Sequence, residues 1–285
     1  MSQSELKIIE CPRDAMQGIK EFIPTKVKIA YLNQLLKVGF HTIDFGSFVS
    51  PKAIPQLKDT AEVLAGLDLE QSNTKLLAII ANERGAKDAV QHEEIAYLGY
   101  PFSISETFQQ RNTNASIEES LDRVARIQDL TLKNNKNLVI YISMGFGNPY
   151  GDPYHEDIVA DWLRKLKAME IGIFALSDTI GVSEPGIISR LFSTLIPEYP
   201  ELEIGAHLHT TPDTWKEKIE AAYDRGCRRF DGAIAGYGGC PMAADDLTGN
   251  MPTEKMIGYF NERLSEDVVD MEELNQAIRE AGRVF

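Results

Sequence analysis

Two histidines one residue apart, His207 and His209, carry the sharpest chemical signal in the chain. Residues two apart on a strand project from the same face, so both imidazoles reach one point, and a neutral imidazole is a common metal ligand. Asp14 offers a carboxylate that can join them. Two nitrogens plus oxygens suit zinc, manganese or magnesium, and ligand type alone does not choose among these. The other reading is a pair of interior histidines hydrogen-bonded to their neighbours. Arg13, beside Asp14, keeps its charge when partly buried and can hold a carboxylate or a developing enolate; the alternative is a salt bridge to Asp14 or Asp44. The Gly-rich stretch AGYGGCPMAADDLTGN, from Ala235 to Asn250, reads as a loop over a site, and it carries Cys240. Cys240 is the plausible reactive thiol. Cys11 and Cys227, at predicted strand or helix ends, fit inert packing instead.

Such groups need a scaffold that converges them. Short aliphatic runs begin at Lys7, His41, Leu76, Glu94, Asn137, Ile171, Glu203 and Phe230, and amphipathic stretches separate most of them. Thr25 opens one such helix, which ends before Gly39, and Ser116 with Glu119 forms a capping box at the start of another. Pro212 lies near the start of a third, TPDTWKEKIEAAYDRG, which stops at Gly226, and MEELNQAIREAG forms the last. Between the third and fourth runs only a short helix fits. Eight strands alternating with helices predict an α/β fold, a (β/α)8 TIM barrel filling residues 1–285 as a single domain, with a lid near 235–250. The open doubly wound sheet is disfavoured because no G-x-G-x-x-G follows the first strand. In a barrel the polar residues that end strands collect at one mouth: Arg13 and Asp14, Asp44 and Ser47, Asn82, Ser103 and Ser105, Ser143, Asp178, His207 and His209, and Asp231.

Composition narrows the partners. With 43% hydrophobic residues and 25% charged, the 285-residue chain is globular rather than disordered. A net charge of −14 and no Lys/Arg-rich tract argue against a nucleic-acid surface. There is no apolar run of membrane length and no basic-then-apolar leader, so a cytoplasmic protein without a membrane partner is expected. An anionic ligand then requires a local basic site, for which Lys20, Lys26 and Lys52 are the rim candidates.

Taken together in order, the motifs resemble those of the 3-hydroxy-3-methylglutaryl-CoA (HMG-CoA) lyase family, one of the metal-dependent HMGL-like, or DRE-TIM metallolyase, barrels. PRDAMQ at Pro12–Gln17 resembles the family's PRDGLQ, and GSFVSPKAIPQ at Gly46–Gln56 resembles SFVSPKWVPQ. SDTIGVSEPG from Ser177, the paired histidines, and GGCP from Gly238 followed by Gly249 and Asn250 complete the set. The resemblance implies that Asp14, His207, His209 and Asn250 hold a divalent cation, Mg2+ or Mn2+. It implies a retro-Claisen cleavage of HMG-CoA to acetoacetate and acetyl-CoA, with Arg13 on the enolate oxygen and Cys240 moving protons. Asp44 and Asp178 would be polar partners near substrate or metal, and Gln17, Ser47, Lys20 and Lys52 would meet the acyl-CoA. A homodimer is expected by resemblance alone.

The chain also departs from the family. Ile9 stands where a Glu is usual, with Glu10 displaced to the opposite side of the strand. Thr210 replaces an Asp, Gly18-Ile19 replaces Asn-Glu, and the loop from Cys240 to Asn250 is one residue longer. The alternatives are a related 3-hydroxyacyl-CoA lyase, a Claisen-type acyl transferase joining acetyl-CoA to a 2-oxo acid, and a barrel that only binds. The transferases usually carry a further C-terminal region.

Overall fold

The structure is a computed structural model that describes residues 5–239 and 248–285. Its strands are β1 (Lys7–Glu10), β2 (Thr42–Ser47), β3 (Lys75–Ile79), β4 (Ile95–Ser103), β5 (Asn137–Ser143), β6 (Ile173–Asp178), β7 (Glu203–Thr210), β8 (Arg229–Gly232) and β9 (Gly249–Asn250). The first eight pair in parallel with their sequence neighbours, and β1 meets β8 to close the ring. This is a (β/α)8 TIM barrel. Strands such as β5 are buried along nearly their whole length because the barrel interior covers one face and the helices the other.

The helices are α1 (Pro12–Gln17), α2 (Thr25–Val38), α3 (Thr60–Ala65), α4 (Glu83–Ala89), α5 (Glu106–Thr113), α6 (Ile117–Lys133), α7 (Glu156–Lys167), α8 (Pro185–Glu198), α9 (Trp215–Tyr223), α10 (Thr253–Leu264) and α11 (Met271–Val284). Helix α2 stops at Gly39, whose φ of 85° is left-handed and free of a Cβ clash. Ser116 and Glu119 form both bonds of the capping box at α6, and the helix between β3 and β4 is short, as expected.

Three places differ from the sequence reading. The run after Phe230 does not continue as a strand: β8 ends at Gly232, and Ile234–Gly236 form a 3-10 turn with Ala235 at φ 58°. The cause is long-range, because Glu10 on β1 accepts from Ile234 N–H at 3.0 Å and Ala233 pairs with the chain before α10. Helix α9 starts at Trp215 rather than near Pro212, since Thr211 N–H bonds Thr214 Oγ1 at 2.9 Å and holds a turn there. The third is β9, which runs antiparallel to β7 and sets Asn250 opposite His209.

Candidate active site

Chain register puts Arg13, Asp14 and Gln17 on the single long turn of α1, directly after β1, with Pro12 at its first position where a missing N–H costs nothing. Asp14 then reaches the end of β7. One ligand atom each from Asp14, His207 and His209 lies within 4.8 Å of the others. His209 Nδ1 meets the carbonyl of Thr179 at 3.1 Å, which leaves Nε2, and that atom is buried without a hydrogen-bond partner among the described residues. Burial, helped by His207, lowers the His209 pKa to about 4, so its imidazole is neutral at neutral pH. Burial works against charge on His207 as well, but Asp231 and Asp14 raise its pKa on balance. Burial alone would push the Asp14 carboxyl up; Arg13 and both histidines hold it below its usual range. An anionic carboxylate, a neutral imidazole and an orphaned nitrogen converging on one point are what a divalent cation requires, so the donor set fits one.

Asn250 completes the rim from β9. Its Nδ2 donates to Asp14 Oδ2 at 2.7 Å and to the carbonyl of Tyr237 at 2.8 Å, which leaves the side-chain oxygen as the atom able to ligate.

Arg13 is buried and held on two sides. Its Nε and Nη2 donate to Asp44 Oδ2 at 3.0 and 2.5 Å, and Nη1 donates to Asp14 Oδ1 at 3.0 Å and Gln17 Oε1 at 2.9 Å. Both salt bridges weighed from the sequence therefore form together, and burial fails to offset them, so the guanidinium is firmly cationic. Of its five N–H groups, one on Nη2 is left over among the described residues.

The remaining sequence candidates divide. Asp44 is fully buried beneath Arg13; burial pushes its pKa up to about 6 against the pull of the guanidinium. Its Oδ2 orients Arg13. Asp178 accepts from Ser183 and from Lys218 Nζ at 2.9 Å, and Lys218 also donates to the carbonyls of His209 at 2.8 Å and Gly181 at 3.2 Å. Asp178 thus anchors the lysine that ties the ends of β6 and β7 together. Gln17 uses its amide on Asp14 and Arg13, and the Ser47 hydroxyl donates to the carbonyl of Ile79 at 3.1 Å while accepting from Val49 N–H at 3.2 Å. Both side chains thus have intramolecular partners, with one further N–H on Gln17 Nε2 and one further lone pair on Ser47 Oγ beyond these bonds among the described residues. Lys20 and Lys52 are exposed on the loops after α1 and β2. Asn82 and Ser105, polar at strand ends, serve as N-caps of α4 and α5. Cys240, Asp245 and Asp246 lie outside the described residues.

Sequence reasoning named Asp231 only as a strand-end residue and missed Lys218. Asp231 Oδ2 lies 3.2 Å from His207 Nδ1, fixing the ring so that Nε2 is the nitrogen available to Asp14's side. The β7–β8 register that aligns His207 with Asp231 is a tertiary feature, and no spacing in the sequence signals it. Glu10 does face away from the site, toward Thr253 and Ile234.

The HMGL-like family model matches residues 6–280. The chain belongs to the HMGL-like family. Among HMGL-like relatives, cytoplasmic 3-hydroxy-3-methylglutaryl-CoA lyase of Rattus norvegicus is 32% identical over 275 residues, covering 95% of this chain and 79% of the relative. Hydroxymethylglutaryl-CoA lyase YngG of Bacillus subtilis is 32% identical over 275 residues, covering 94% and 89%. A solved HMG-CoA lyase from Acinetobacter baumannii, in complex with coenzyme A and 3-methylmalate, superposes with a TM-score of 0.90 at 30% identity, covering 100% of this chain and 92% of that one. These HMGL-like relatives are carbon–carbon lyases by name, and their likeness spans the whole barrel. Among the described residues, no helix is long and apolar enough to cross a membrane.

Proposed function

We propose that this chain is a divalent-cation-dependent carbon–carbon lyase that cleaves 3-hydroxy-3-methylglutaryl-CoA to acetoacetate and acetyl-CoA. The observation that carries this reading is the convergence of Asp14, His207 and His209 beside a clamped Arg13, in a chain similar along its length to named HMG-CoA lyases. Asp14, His207 and His209, with the Asn250 amide oxygen next to them, would hold Mg2+ or Mn2+, which supplies Lewis-acid polarisation of substrate oxygens when bound.

The protein's own groups do the rest. In a retro-Claisen step the tertiary hydroxyl passes its proton to a base, for which the Cys240 thiolate is proposed, the C2–C3 bond breaks as the 3-oxo group of acetoacetate forms, and the electron pair of that bond moves to the thioester carbonyl oxygen as an enolate. Arg13 directs its spare Nη2–H toward that developing oxyanion; Asp44 has already fixed the guanidinium plane, so no reorganisation is needed as charge appears. A proton must then be delivered to C2 of the enolate, and the Cys240 thiol is the proposed carrier. Lys20 and Lys52, exposed on the loops beside the mouth, offer the positive charge that a CoA phosphate needs on a chain of net charge −14.

The test is a coupled assay on chelator-treated protein supplied with HMG-CoA, following acetoacetate and acetyl-CoA before and after Mg2+ or Mn2+ is added. Restored cleavage supports the proposal. A folded, cation-loaded protein that turns over other 3-hydroxyacyl-CoA esters but not HMG-CoA would move the assignment to a related lyase.

A further inference from the structure

Beside the Asp14, His207 and His209 set lies a second group, which shares His207 with it and adds Cys11 and Asp231, two residues outside the proposed cation set. One ligand atom each from Cys11, His207 and Asp231 lies within 4.8 Å of the others. Cys11 follows β1, and its backbone N–H bonds the carbonyl of Gly232 at 2.8 Å, which draws the thiol alongside Asp231 on β8. Cys11 is fully buried and Asp231 is 2% exposed. The 3.2 Å between His207 Nδ1 and Asp231 Oδ2 suits a hydrogen bond, and it is also the separation of two ligands on one ion with bonds of about 2.0–2.1 Å. The other oxygen, Asp231 Oδ1, is buried without a hydrogen-bond partner among the described residues. Among the described residues the thiol has only a long contact, 3.8 Å, to the carbonyl of Ile9.

We propose that Cys11, His207 Nδ1 and Asp231 form an inner cation site selective for a thiophilic ion such as Zn2+ or Cd2+, separate from the outer set. Thiolate selects for soft ions, whereas the outer carboxylate and imidazoles accept harder ones. On binding, the ion replaces two protons, that of the Cys11 thiol and that of His207 Nδ1–H, and both leave to solvent; His207 then bridges the inner and outer ions as an imidazolate, and the site sets a thiolate, an imidazolate nitrogen and a carboxylate against a dication. The two nearby guanidiniums do not forbid this. Arg13 is clamped by Asp44 and Asp14, and Arg229 donates to Glu203 Oε1 at 3.2 Å while lying 3.8 Å from Asp231 Oδ1. His207 belongs to both groups through opposite ring nitrogens, so an inner ion fixes the imidazole and removes Asp231 as its hydrogen-bond acceptor. The consequence is inhibition by thiophilic ions that extra Mg2+ does not relieve.

The experiment titrates Cd2+ into protein held in saturating Mg2+ and follows the ultraviolet thiolate-to-cadmium charge-transfer band. The band should saturate stoichiometrically in the wild type and in Cys240→Ser, and be lost in both Cys11→Ala and Cys11→Ser. Asp231→Asn should weaken Cd2+ binding by about tenfold or more. Circular dichroism and the unfolding midpoint confirm that each variant is folded, and Mn2+ binding to the outer set is read separately by electron paramagnetic resonance. A band that persists without Cys11, a band that disappears with Cys240→Ser, or unchanged Cd2+ affinity in Asp231→Asn would overturn the inner site. Because Mn2+ is read separately, failure of the lyase reading and failure of the inner site give different results.

Discussion

Asn250 Nδ2 lies 2.7 Å from Asp14 Oδ2, although the two residues stand 236 positions apart. The contact joins the first helical turn after β1 to the short strand β9, which pairs with β7 opposite His209. The carboxylate of the candidate cation site is therefore oriented by the far end of the chain.

Replacing Asn250 by Ala removes that donor and the bond to the carbonyl of Tyr237. Cation affinity should fall by about 10–100-fold, as it does when the groups around a metal ligand are altered. Mn2+ titration checks this, and an unchanged affinity would exclude Asn250 from the site.

Arg13→Lys keeps the charge and loses the paired N–H groups that meet Asp44. The expected result is a fall in kcat by about 10²–10³-fold with KM little changed, because the lost interaction forms with the developing oxyanion. Steady-state kinetics with HMG-CoA decide the matter; a purely structural Arg13 would lower the unfolding midpoint and leave kcat nearly intact.

Lys218→Met leaves Asp178 buried and unpaired, and it frees the His209 carbonyl. Breaking a buried ion pair on one side costs about 3–5 kcal/mol, so chemical denaturation should show a loss of that order. Adding Asp178→Asn should recover part of it, since the second change removes the stranded charge.

Glu10 makes stability depend on pH in the opposite sense to most carboxylates. Burial pushes its pKa up to about 8 from an ordinary 4.5, against the lowering effect of the bonds from Thr253 and Ile234 N–H, and nearby Glu254 adds to the rise. Folding therefore takes up a proton. This contribution is complete below the unfolded value of 4.5 and is lost as pH rises through the folded value of about 8. Glu10→Gln should flatten the decline in stability across that window, measured by urea midpoints at several pH values. A decline of equal steepness in the variant would show that Glu10 is not its source.

Cys240→Ala should lower kcat by about 10²–10⁴-fold if the thiol carries a proton, with Mn2+ binding unaltered. Turnover equal to the wild type would remove Cys240 from the proposed chemistry.

The local signals in the chain already specified most of its architecture. Short apolar runs marked each strand of the barrel, and Gly39 and Ser116 set helix ends through backbone conformation and capping, which depend on neighbours within one turn. The paired histidines were legible for the same reason, because period-two spacing alone puts both rings on one face of β7. What only the tertiary structure decided was the role of each polar residue at a strand end. Asp44 and Asp178 look equivalent to Asp14 in sequence, yet one is covered by Arg13 and the other by Lys218. Ser105 caps a helix, and Ser47 bonds the neighbouring strand. Cys11 resembles packing until β8 sets Asp231 beside it. A side chain's partners across the barrel come from strand register and ring closure, and no spacing along one strand encodes them.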